Sequence, residues 1–259
     1  MWLQYLKRIG CSDIPIYIDQ ETLITLHQQH VLTVPFEVLD IHCNIPFALN
    51  FEAIYDKVVN RHRGGFCYEL NYLFYRLLVH LGFKAHLLSS RIYDREGRLG
   101  PEYDHMSILV ALKNDRWLLD VGYGDLFIAP LKITDRQVVQ DWFKYFKIEQ
   151  IKTDHYLLSE STDGRTFTNR YQFSLTSQAL TDFDAQFEFK QHSPDSHFVQ
   201  NLICTLPHQS GRHSIINQQH IATNNGVKTT TMIKDLAALR ILLKDKFNID
   251  IAGTPPTLF

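Results

Sequence analysis

Little in this 259-residue chain points to a special environment. Four cysteines, at 11, 43, 67 and 204, form no C-x-x-C pair. They are too few for a disulfide framework at this length, so reduced thiols in a cytoplasm are expected. No apolar run approaches the roughly 18 residues that mark a membrane span. The opening residues carry Lys7 and Arg8 with no apolar stretch behind them, and do not read as an export signal. Repeats, low-complexity tracts and Gly/Ser linkers are missing. So is an excess of one charge: 26 basic residues face 28 acidic ones, a net of −2. A general phosphate-backbone binder needs clustered Lys and Arg, so neither nucleic acid nor a membrane is an expected partner. Nothing in the sequence sets an oligomeric state.

What is present describes a folded chain: 45% hydrophobic and 21% charged residues. At about 150 residues per domain, the length corresponds to one or two domains. The first part reads as helical. After Arg63-Gly64-Gly65 the apolar positions Phe66, Leu70, Leu73, Phe74, Leu77, Leu78 and Leu81 follow a 3.6-residue period, and Gly82 stands where such a helix stops. From about residue 84 the pattern shortens. Segments 85–92, 105–112, 116–121, 143–151, 155–159 and 171–175 are rich in β-branched, aromatic or Leu residues and are separated by turn signals. More strands are expected within 198–232, and a helix over 234–247. Helices, then strands, then a mixed end give an α+β class with an antiparallel sheet or barrel, not a doubly wound fold.

Cys67 opens the helix that follows the two glycines. Unpaired N–H groups and the positive end of the helix dipole favour an anion there, which is what a cysteine nucleophile requires. Taken alone, Cys67 reads as a small buried hydrophobe, as do Cys11, Cys43 and Cys204. A nucleophile also needs a base and a group to orient that base. His105 opens the strand His-Met-Ser-Ile-Leu-Val, and Asp120 is an acid within the apolar Trp-Leu-Leu-Asp-Val-Gly. Their spacing conflicts with the turn between them. The Asn114-Asp115 turn signal would offset the two by four residues, roughly 13 Å along the strand. A longer turn, a bulge or a different neighbour would be needed to bring them together. Thirteen histidines are many. His27 and His30, and the scattered His192, His197, His208 and His213, have no Cys at ligand spacing, so no metal is expected.

The stretch Arg63-Gly64-Gly65-Phe66-Cys67-Tyr68-Glu69-Leu70-Asn71, then Asp104-His105-Met106, then Leu119-Asp120-Val121-Gly122-Tyr123-Gly124 closely resembles the arylamine N-acetyltransferases. The segments Tyr5-Leu6-Lys7-Arg8-Ile9-Gly10, Pro35-Phe36-Glu37-Val38-Leu39 and Ser196-His197-Phe198-Val199-Gln200-Asn201 are similar to that family as well, in order along most of the chain. The resemblance, of bacterial type, implies a helical bundle over 1–83, a β-barrel over 84–190 and an α/β lid over 191–259. It implies a cysteine-protease-like triad of Cys67, His105 and Asp120. The reaction implied is acetyl transfer from acetyl-CoA to arylamines, arylhydrazines or N-hydroxyarylamines by a ping-pong route through an acetyl-cysteine. Gly122 and Gly124 would lie near the CoA pyrophosphate, Phe36 and Tyr123 would line the acceptor pocket, and Arg63 and Glu37 would orient the triad. Three features depart from the family pattern: Val38 replaces an Asn, Tyr123 replaces a Phe, and the chain stops early, at Phe259. Two rival readings use the same residues. One is a hydrolase or amide-transferring enzyme with the same triad; the other is an aromatic-binding protein without catalysis.

Overall fold

The computed structural model describes residues 1–251 and 256. Positions 252–255 and 257–259, the end of the expected lid together with Phe259, lie outside the described residues. The first third is helical: α1 (Trp2–Arg8), α2 (Gln20–Thr33), a two-residue strand β1 (Phe36–Glu37), α3 (Leu39–His42) and α4 (Phe51–Tyr55). A π-turn over Asp56–Asn60 continues α4, and α5 (Cys67–His80) follows. The Asp19 carboxylate caps α2 by accepting from Thr22 N at 2.9 Å, and Leu23, Leu26, His27 and His30 form its buried side. The 3.6-residue pattern of α5 is realised. Leu70, Leu73, Phe74, Leu77 and Leu78 are all fully buried, and each buried Leu or Phe contributes about 1.5–3 kcal/mol.

Eight antiparallel strands then form one sheet that curls into a nearly closed barrel: β2 (Lys84–Ile92), β3 (His105–Leu112), β4 (Asp115–Leu119), β5 (Leu131–Lys132), β6 (Val138–Asp141), β7 (Lys144–Lys152), β8 (His155–Ser161) and β9 (Thr168–Gln178). Six of these lie where the residue pattern places strands. The short β5 and β6 were not expected; one is two residues long, and the other is largely exposed. A 3-10 turn (Leu180–Phe183) leads into α6 (Asp184–His192) and α7 (His197–Gln200). Four further strands, β10 (Ile203–His208), β11 (Gly211–Ile216), β12 (Gln219–Asn224) and β13 (Val227–Met232), precede α8 (Leu236–Phe247). They make a second antiparallel sheet in the order β1-β10-β11-β12-β13. Phe36 pairs with Thr205 and Glu37 with Cys204, so a strand from the helical third belongs to this lid sheet.

The turn between β3 and β4 resolves the spacing conflict. Leu112 pairs with Asp115 and Ile108 with Leu119, so the loop is Lys113-Asn114, with Lys113 in the left-handed region at φ 56°. This register lies one residue short of the turn signal. Continued past Leu119, it sets Asp120 diagonally across from His105, two residues off opposite. Diagonal neighbours on one face are about 7–8 Å apart, a gap an imidazole spans. The ladder ends at Leu119, so Asp120 is the first residue beyond the strand, not one within it.

Candidate active site

Cys67 is the first residue of α5, 3% exposed, beneath the loop that follows β4. That loop can pass so closely because position 122 has no side chain. A Cβ on Gly122 would lie 2.8 Å from both Cys67 Cα and Asn71 Nδ2. Gly64 is needed for a similar reason, since its Cβ would meet Pro35 O at 1.9 Å where the turn before α5 crosses the chain at β1.

His105 Nε2 donates to Asp120 Oδ2 at 2.7 Å, with both residues buried. A carboxylate accepts only, so Nε2 carries the proton and Nδ1 is left for another partner; Cys67 lies close enough to act on the charge of the ring. Burial alone would pull the imidazole down. The Asp120 charge and hydrogen bond, with a smaller contribution from Cys67, outweigh it and push His105 up to about 10. The pair with Asp120 therefore favours the charged form of the ring.

Asp120 is itself fixed from three further sides. Asn71 Nδ2 donates to Oδ1 at 3.0 Å and Gly122 N to the same atom at 3.1 Å. Asn71 also donates to Met106 O at 2.7 Å and accepts from Val121 N at 2.9 Å, joining α5, β3 and the loop after β4 through one amide. His27 accepts from Asp120 N at 3.1 Å and donates to Ile128 O at 2.7 Å. That pattern needs a neutral ring, and burial lowers His27 to about 4. The Tyr171 ring lies 5.5 Å from the His105 ring, and burial and the Asp120 charge push its hydroxyl well above the usual tyrosine range.

Phe36 and Tyr123 meet around a small void of about 20 Å³ that also touches Asp120, Gly124, Thr205 and Arg212. The Tyr123 ring lies edge-on to His105, with centroids 5.4 Å apart. The Gly122 amide is engaged by Asp120, whereas the Gly124 carbonyl accepts from Arg212 of the lid sheet. Arg63 and Glu37 form a two-pronged pair, Nε to Oε1 and Nη2 to Oε2, each at 3.0 Å. They make no hydrogen bond or ion pair with Cys67, His105 or Asp120. Their link to the site is the backbone bond from Glu37 N to Gly65 O, 3.0 Å, two residues before the cysteine.

Asn71, His27 and Tyr171 were not among the expected site residues. Asn71 was readable, since it sits one helical turn after Cys67 on the same face. His27 and Tyr171 come from distant elements and carried no local signal. Among the described residues, no group of three or more His, Cys, Asp or Glu side chains is placed to hold a metal ion, and no helix is long and apolar enough to cross a membrane.

The N-acetyltransferase family profile matches residues 19–255. Human arylamine N-acetyltransferase 1 is 27% identical over 270 residues, covering 95% of this chain and 93% of its own. The arylamine N-acetyltransferase structure from Salmonella typhimurium superposes with a TM-score of 0.90 at 27% identity, covering 97% of this chain and 92% of that one. The Mycobacterium marinum arylamine N-acetyltransferase in complex with CoA gives a TM-score of 0.87 at 26% identity, covering 96% and 93%.

Proposed function

Because the chain belongs to the arylamine N-acetyltransferase family, whose reaction is acetyl transfer from acetyl-CoA to arylamines, we propose that Cys67, His105 and Asp120 carry out that transfer here. The observation that carries the assignment is the buried 2.7 Å bond from His105 Nε2 to Asp120, with Cys67 near that ring on a helix N-terminus. Cys67 Sγ attacks the acetyl carbonyl, the bond from that carbon to the CoA sulfur breaks, and the departing thiolate takes the Nδ1 proton of His105. The acceptor nitrogen then attacks acetyl-Cys67 and loses its proton to Nδ1. The carbon–sulfur bond breaks, and the thiolate–imidazolium pair is restored. Throughout, Asp120 holds Nε2–H and stabilises the charged ring.

Acceptors are arylamines, arylhydrazines or N-hydroxyarylamines, seated against Phe36 and Tyr123, where aromatic walls suit a flat ring once the small void between them widens. CoA approaches the 122–124 loop, with the Arg212 guanidinium as the nearby cation. No metal takes part, and the reaction belongs in the cytoplasm. The work is divided among 1–83, which presents Cys67, 84–190, which presents His105 and Asp120, and the third part, of which the described residues 191–251 form the lid. The test is to mix the protein with excess acetyl-CoA and no amine, and to titrate released CoA thiol. One equivalent per protein, then a stop, is the expected result. Continuous release would mean a hydrolase, and no release a binding protein; either overturns the proposal.

A further inference from the structure

Behind the first turn of α5, on the side away from His105, lies a second constellation of buried charge. Glu37, Asp40, Lys57, Arg63 and Glu69 are each 5% exposed or less. Their contacts form one chain of alternating sign. Phe66 N donates to Glu69 Oε2 at 3.0 Å. Lys57 Nζ donates to Glu69 Oε1 at 2.9 Å and lies 2.9 Å from Asp40 Oδ2. Arg63 Nη2 donates to Asp40 Oδ1 at 2.7 Å and to Glu37 Oε2 at 3.0 Å. Glu37 Oε2 also accepts from Leu39 N at 2.7 Å. The chain thus begins at the amide immediately before the cysteine and ends beside β1, the strand that carries Phe36. Lys57 is its central link. It points inward from the π-turn with Phe47 over its ammonium at 4.7 Å. A π-turn inserts a residue into the helical period, and such insertions often mark functional positions.

We propose that Lys57 and Glu69 are positioning residues for the nucleophile: the Glu69 carboxylate, shared between the Phe66 N–H and the Lys57 ammonium, sets the turn that presents Cys67 Sγ to His105, and Lys57 ties that turn to the Phe36 strand through Asp40 and Arg63. The inference rests on Cys67 being the nucleophile. Three carboxylates share two cations in a buried site, so with every group ionised the brace carries one excess negative charge. Glu69 is the group that shows it. Burial, with smaller contributions from Asp40 and Glu37, pushes its carboxyl up to about 7 against the opposing pull of Lys57. Glu69, faced by Lys57, Asp40, Glu37 and Arg63, therefore takes up a proton near neutral pH and loosens its hold on Lys57.

The test measures two rates per folded molecule, in the parent and in Glu69→Gln, Glu69→Ala and Lys57→Met. These are alkylation of Cys67 by iodoacetamide against pH, and acetylation of Cys67 by acetyl-CoA. A misplaced turn should slow both by roughly ten- to a hundredfold in Lys57→Met and Glu69→Ala, with KM for acetyl-CoA within about twofold. Glu69→Gln keeps an acceptor for Phe66 N–H and should lose less. It should also lack the parent's inflection near pH 7, which a merely structural role would not move. Glu69→Gln carries the test if the other two variants do not fold. Parent-like rates and an unmoved inflection in every folded variant would overturn the brace. A parent that is alkylated at Cys67 but never acetylated would overturn the proposed reaction instead, and leave the brace to the alkylation series.

Discussion

Two buried constellations of charge flank the same turn of α5, and they are built to opposite ends. In the brace every carboxylate oxygen of Glu37, Asp40 and Glu69 has a donor, and the chain of contacts closes on backbone amides at both ends. On the side proposed to be catalytic, Asp120 is held as firmly, by His105, Asn71 and Gly122. Beyond His105, that side reaches the Cys67 thiol on the first turn of α5. One constellation is satisfied at every atom and holds the backbone. The other fixes Asp120 and His105 and, in the proposed reaction, leaves Cys67 to react.

Breaking each side should have different consequences. The largest effect is expected from Cys67→Ser. Acetyl transfer should fall by about four orders of magnitude or more, because the hydroxyl is a far weaker nucleophile beside the same base. The melting temperature should stay within a few degrees, as the two side chains are nearly the same size. Turnover within about a hundredfold of the parent in that variant would move the nucleophile elsewhere.

Asp120→Asn comes next, with a loss of roughly a hundred- to ten-thousandfold in transfer. The Asn amide can donate to the ring and favour the wrong tautomer. The sign of the pH effect follows from His105, raised from its ordinary 6.5 to about 10. The stabilisation from its ion pair is fully present below pH 6.5 and is lost as pH rises through about 10. The variant should therefore trail the parent most in stability at neutral pH and below, and the gap should close above pH 10. A gap of constant size in urea melts across that range would make Asp120 a packing residue only.

On the other side, Arg63→Met removes the two-pronged partner of Glu37 and leaves Asp40 with Lys57 alone, and should cost about 3–5 kcal/mol of stability by urea unfolding. The part that remains folded should still alkylate at Cys67. The smallest effect belongs to Tyr123→Phe. It removes one hydroxyl at the pocket wall, so the ranking of amine acceptors should shift by a few-fold while acetylation of Cys67 stays as it was. Identical acceptor profiles would mean that Tyr123 does not face the amine.

How far all this could be read in advance varied with how local the cause is. The core of α5 was legible because its apolar spacing and its burial are one fact seen twice. The triad members were named by type and by resemblance, but their meeting was not. The residues Asn114-Asp115 look like the turn, whereas the chain turns at Lys113-Asn114 with a lysine in the left-handed region. That one-residue step decides whether His105 reaches Asp120. Lys57 was hidden for a related reason, since the π-turn breaks the period by which an inward-facing position is recognised. Arg63 and Glu37 were expected beside the triad, and the structure places them in the brace behind it, because nothing in a linear motif says on which side of a helix its charges fall.

The central claim is that the proposed triad acts through an acetylated Cys67. Intact mass spectrometry after mixing with acetyl-CoA alone, followed by peptide mapping, tests it most directly. The predicted result is a gain of one acetyl group, located on Cys67 and lost when an arylamine is added. No gain, an acetyl group on Cys11, Cys43 or Cys204, or a gain that the amine leaves in place would contradict it.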